Sequence, residues 1–138
     1  MRVFLDTNVL ASAVATRGIC ADVLQVTLAE HQLVVGEKVL SELRRVLVRK
    51  FRVTPELVDE TDDFLRREAE VVGEAARLDL SVRDADDLTV LEQAVAGAGD
   101  LLVSGDRDLL DVDVELPIRI LSPRGFWTLL REDATDDE

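Results

Sequence analysis

Cysteine is nearly absent: Cys20 stands alone in 138 residues, so no internal disulfide can form. Histidine is as scarce, and Cys20 with His31 cannot build a zinc cage. Lysine is limited to Lys38 and Lys50, the remaining basic residues being arginine. No apolar run approaches the roughly 20 residues that span a bilayer, so no membrane segment is expected. The opening MRVFLDTNVL reaches Asp6 after three apolar residues, too soon for a secretory signal. No G-x-x-x-x-G-K-[ST] run exists, which excludes a P-loop nucleotide hydrolase. The expected setting is the cytoplasm.

What is present is ordinary globular composition, 47% hydrophobic and 33% charged, in one domain's length. The net charge of -13 argues against a protein that coats nucleic acid. It does not argue against an enzyme that cuts it, because such a site uses carboxylates to hold metal. A packed domain is expected over 1–131, with a frayed acidic tail over 132–138.

Short, largely apolar runs predict strands at Arg2–Leu5, Leu33–Val35, Val71–Val72, Leu101–Val103 and Ile118–Leu121. Between them, helices are expected at Val9–Ala15, Cys20–Glu30, Glu37–Lys50, Pro55–Glu70 and Asp84–Ala96. A last one starts at Pro123 and runs to Leu130. Thr7 or Asn8 is the expected cap of the first helix, and Gly97 with Gly99 ends the fifth. Strands without period-two alternation, alternating with helices, predict an α/β fold whose parallel sheet is covered on both faces.

Such sheets place their sites beyond the carboxyl ends of the strands. Acids collect there. Asp6 ends the first strand, and Asp106 follows Leu101–Val103. Asp84 and Asp87 open the helix before that strand, and Glu42 lies at the edge of an apolar helix stripe. Each has a plainer reading. Asp6, Asp84 and Asp106 can cap helices, and Glu42 and Asp108 can be solvated charges. His31 reads as a surface residue and Cys20 as core. Together, however, acids that repel one another in one place predict a divalent cation, and an all-oxygen set suits Mg²⁺ or Mn²⁺. A cation so held can activate water against a phosphodiester.

The run Val3-Phe4-Leu5-Asp6-Thr7-Asn8-Val9-Leu10 resembles the opening of PIN-domain proteins. Asp84-Ala85-Asp86-Asp87 with Leu91 and Ala94, then Leu102-Val103-Ser104-Gly105-Asp106-Arg107-Asp108-Leu109-Leu110, is similar to the family's second half. Ser41-Glu42-Leu43 stands where the family carries its helix-borne acid, and Ile120-Leu121-Ser122-Pro123 with Phe126 resembles a branch of toxin components of toxin–antitoxin pairs. The resemblance implies a three-layer α/β/α sandwich and a Mg²⁺- or Mn²⁺-dependent endoribonuclease. It puts Asp6, Glu42, Asp87 and Asp106 on the acidic quartet, as catalytic and metal-holding residues. Asn8 and Ser104 fall on its supporting polar positions, with Thr7 beside them. Ser104 stands where many relatives have threonine, and the hydroxyl is kept. Three aspartates crowd 84–87. The spacing of Asp87 to Ala94 selects it as the third acid, with Asp84 as a further ligand or, if the two exchange roles, Asp87 as the cap. An RNA substrate, a homodimer and an antitoxin partner are implied as well.

Arg45, Arg49 and Arg52 share a face at helical spacing and are the expected phosphate contacts, the alternative being a solvated face paired with the acids of 59–63. Two other functions stay open. One is a non-catalytic module that binds Mg²⁺ and docks a partner. The other is an aspartate-based phosphoryl-transfer enzyme, against which Asn8 weighs, since an acid is wanted two residues after the nucleophile.

Overall fold

The computed structural model describes residues 1–78, 84–112 and 116–136, with side chains as far as residue 132. Segments 79–83 and 113–115 and the last two residues of the expected tail lie outside it. The chain runs β1 (Arg2–Leu5), α1 (Thr7–Ala15), α2 (Ile19–Glu30), β2 (Gln32–Gly36), α3 (Glu37–Arg49) and α4 (Pro55–Glu68). It continues as β3 (Glu70–Val72), α5 (Ala85–Ala96), β4 (Leu101–Val103), α6 (Arg107–Leu110), β5 (Arg119–Leu121) and α7 (Pro123–Asp136).

All four strand pairings are parallel, in the order β3-β2-β1-β4-β5. Successive side chains of a strand point to opposite faces. Val3, Phe4 and Leu5 are nevertheless all buried, as are Leu33–Val35 and Leu101–Val103. Both faces of the sheet are therefore covered by helices, which is the α/β/α sandwich expected. Strand order reverses beside β1: β2 and β3 build outward on one side, β4 and β5 on the other. The crevice beyond the carboxyl ends of β1 and β4 is the switch point of the sheet.

Local chemistry explains most element ends. Thr54 caps α4 by accepting from Leu57 N, ahead of Pro55 in the first turn. Arg66 on α4 grips Glu37 of α3 through two nitrogens, at 2.7 and 2.9 Å. Gly97 ends α5 against the sheet, where a Cβ would come within 2.9 Å of Val34 and Val72 side chains. Its carbonyl accepts two bonds from the Arg2 guanidinium.

Several expectations need correction. The cap of α1 is Asp6, not Thr7 or Asn8: its carboxylate accepts from Thr7 N. The short α6 was visible only as a possible cap at Asp106, because four residues are too few to show a period. The left-handed residue after α5 is Ala98, at φ 52°, rather than either flanking glycine. The last helix continues past Leu130 to Asp136. His31 is half-buried with its ring edge-on to Phe126, and Cys20 is half-buried against the core. Among the described residues, no single helix is long and apolar enough to cross a membrane.

Candidate functional site

Asp6 stands at the switch point because β1 ends on it: its N–H still pairs with Val103 O of β4. The side chain is 6% exposed and both oxygens are held, Oδ1 by Thr7 N at 2.8 Å and Oδ2 by Ser104 Oγ at 2.7 Å. Burial pushes this carboxyl above the ordinary range, against the opposing pull of the Ser104 and Thr7 bonds. Ser104 is fully buried just past β4, and its Oγ also accepts from Asp106 N at 3.0 Å. One hydroxyl thus joins the acid after β1 to the acid after β4.

Asp106 caps α6 by accepting from Asp108 N at 2.9 Å. Asp84 caps α5 by accepting from Asp86 N at 2.8 Å. Both plainer cap readings are real, as is that of Asp6, and capping aims each carboxylate at the same crevice. Asp87, in the first turn of α5, faces Asp106. Burial, the Asp106 charge and a carboxyl–carboxyl hydrogen bond with Asp106 push Asp87 up to about 7, with smaller contributions from Asp84 and Asp6. Asp87, Asp106 and Asp108 each offer an oxygen within 4.8 Å of the others.

Glu42 enters from α3. Thr7 Oγ1 donates to its Oε2 at 3.0 Å, and Lys38 Nζ, one helical turn earlier, lies 3.5 Å from Oε1. Lys38 Nζ also reaches Asp86 Oδ1 at 2.8 Å. A cleft of about 310 Å³ brings together Asp6, Thr7, Asn8, Glu42, Asp84, Asp86, Asp87 and Asp106. Between the two candidates for third acid, the fold gives Asp84 the cap and Asp87 the contact with Asp106.

The basic face divides. Arg45 lines the cleft rim, and Arg49 follows one turn later, both exposed. Arg52 does not share their face, because α3 ends at Arg49 and Arg52 takes φ 54° beyond it. Arg44 pairs with Asp59 at 2.8 Å, whereas Arg45 and Arg49 form no salt bridge among the described residues. Sequence reasoning left Asp108, Asp86 and Lys38 out of the site. For Lys38 the signal was its i−4 spacing from Glu42, and Asp108 had no local signal.

The donor set suits a hard divalent cation. It consists of carboxylate oxygens, with no sulfur or imidazole from the lone Cys20 or His31, and it holds like charges close enough to keep a proton on Asp87.

A family model described as a PIN domain matches residues 2–108, from β1 through the last of these acids. No curated protein matches the chain. Among solved structures, the fold is similar to a chain in the crystal structure of VapBC2 from Rickettsia felis bound to a DNA fragment from their promoter. That likeness has a TM-score of 0.67 at 15% identity and covers 88% of this chain and 98% of that one, so it speaks to fold. With the family match covering β1 to β4 and every acid of the cleft, the chain belongs to the PIN-domain family.

Proposed function

We propose that the protein is a divalent-metal-dependent endoribonuclease and the toxin of a toxin–antitoxin pair. The observation that carries the nuclease reading is the convergence of Asp6, Glu42, Asp87 and Asp106 on one cleft at the switch point of a PIN-domain sheet. Asp6, Asp87 and Asp106, with Glu42, are the residues that would hold Mg²⁺ or Mn²⁺. When bound, the cation supplies Lewis-acid activation of water and offsets charge building on the phosphodiester.

The chain's own residues do the rest. Ser104 and Thr7 hold Asp6 from both sides, so its orientation is set before any ligand arrives. Thr7 Oγ1 steers Glu42 toward the same cleft. Asn8, exposed on the first turn of α1, is placed to orient water or a phosphate oxygen at the mouth. Arg45 and Arg49 supply the positive rim that an acidic protein needs to receive RNA phosphates. The phosphoryl-transfer alternative is disfavoured by Asn8, which stands two residues after Asp6 where that chemistry wants an acid.

The toxin reading is supported by the fold likeness to the VapBC2 chain, and it brings an antitoxin partner, a homodimer and a cytoplasmic RNA substrate as parts of the proposal. Light scattering tests the dimer: a mass of 15.3 kDa at micromolar concentration rejects it.

The nuclease test is cleavage of a mixed RNA pool by wild type and Asp6→Asn, with Mg²⁺ or Mn²⁺ and with EDTA. Cleavage that disappears in EDTA and in the variant is expected. Folded, inhibitor-free wild type that leaves RNA intact with either metal rejects the reading in favour of a binding module.

A further inference from the structure

The helix that carries Glu42 starts without a side-chain cap of its own. Gly36 occupies the N-cap of α3 and has nothing to offer its first-turn N–H groups. Gln93 supplies the missing acceptor from a different helix. Its Oε1 accepts from Lys38 N at 3.1 Å, while its Nε2 donates to Gly73 O, just past β3, at 2.9 Å. Gln93 is 6% exposed and both bonds are at least partly buried, where an unmet amide group is costly. Gly36 makes room for it: a Cβ there would overlap Gln93 Oε1. The same glycine that denies α3 a cap admits the amide that replaces one.

This bridge lies between the two halves of the acid cleft. α3 follows β2 and carries Glu42, whereas α5 leads into β4 and carries Asp84 and Asp87. β2 and β4 are on opposite sides of β1, so no strand pairing joins them directly. The Lys38–Asp86 ion pair is a second tie between these helices, but Asp86 is exposed and such pairs hold geometry loosely.

We propose that Gln93 is a positioning residue for the cleft: its buried amide locks the start of α3 against α5 and so fixes Glu42 relative to Asp87. The claim rests on the nuclease reading for its kinetic arm and on metal binding for its other arm.

Gln93→Met keeps the length and removes both hydrogen bonds. Gln93→Glu keeps an acceptor for Lys38 N. Gly36→Ala displaces the amide without altering it, and serves where Gln93→Met melts too low to use. Each full-length variant is first shown to unfold cooperatively above the assay temperature. Mn²⁺ affinity is then read from free Mn²⁺ by electron paramagnetic resonance, and kcat and KM are read on RNA. Gln93→Met is expected to weaken Mn²⁺ binding and lower kcat by roughly ten-fold each, with KM unchanged and Gln93→Glu recovering most of both. A merely structural role would reduce the number of binding sites and leave their affinity alone. Wild-type kcat and Mn²⁺ affinity in folded Gln93→Met overturn the proposal. Wild type that binds Mn²⁺ but cuts no RNA rejects the nuclease reading, while the comparison of Mn²⁺ affinities still decides the role of Gln93.

Discussion

Ser104 Oγ donates to Asp6 Oδ2 at 2.7 Å and accepts from Asp106 N at 3.0 Å, so a single buried hydroxyl sets two of the four quartet acids. Ser104→Ala removes both bonds in a fully buried place. The expected cost is about 1–3 kcal/mol, because Asp6 Oδ2 and Asp106 N both lose their partner. RNA cleavage is expected to fall by roughly ten- to a hundred-fold. Urea unfolding and cleavage rates check the two effects, and a variant with wild-type values in both would contradict this role for the hydroxyl.

Asp87 predicts a pH dependence with a definite sign. In the folded chain it keeps its proton up to about 7, whereas in the unfolded chain it ionises near the ordinary value of about 3.9. Between these values the folded state holds the extra proton, so this group's contribution to metal-free stability is lost as pH rises from about 4 to about 7. Asp87→Asn is expected to raise the urea midpoint in EDTA at pH 8 and to leave it nearly unchanged at pH 4. Mg²⁺ is expected to stabilise wild type at pH 8 more than at pH 5, since the cation and the proton compete for the same carboxylates. An Asp87→Asn profile parallel to that of wild type would show that the charge cluster does not act through this residue.

Arg45 and Arg49 are exposed on adjacent turns of α3, beside the cleft and outside the salt bridges that occupy Arg44 and Arg66. Replacing both with alanine is expected to change stability by no more than about 0.5 kcal/mol. RNA binding should weaken, with the salt slope of binding reduced by about 0.7 for each phosphate that is no longer neutralised. Arg52→Ala, off that face, should have the smaller effect. Equal weakening by Arg52→Ala and by the double variant would place the phosphate path elsewhere.

Ala98 sits at φ 52° just past the Gly97 cap of α5, an exposed left-handed position that an L side chain occupies at a cost. Ala98→Gly is expected to stabilise the fold by about 0.5–1 kcal/mol, the gain in the folded state outweighing the added freedom of the unfolded chain. Thermal melts check it. Activity should not change, because the residue lies at the opposite end of α5 from Asp84 and Asp87.

Most of this architecture could be read from the amino-acid order, because its causes are local. Short, largely apolar runs marked the strands, and Thr54-Pro55 marked the start of α4. Asp6, Asp84, Asp87 and Asp106 were legible for the same reason, since each ends a strand or opens a helix, and Glu42 was legible from the edge of an apolar helix stripe. Other features had no local signal. Nothing near Asp108 in the chain shows that α6 turns it toward Asp87. Arg49 and Arg52 have helical spacing, and a helix end between them undoes their shared face. Gln93 looks like one more position on a helix, and its partners are 55 residues away at Lys38 and 20 away at Gly73. Element type follows from propensity and periodicity over a turn or two. Which carboxylates share one cleft, and which amide bridges two helices, depends on parallel register and the reversal of strand order at β1, and those exist only once the sheet has formed.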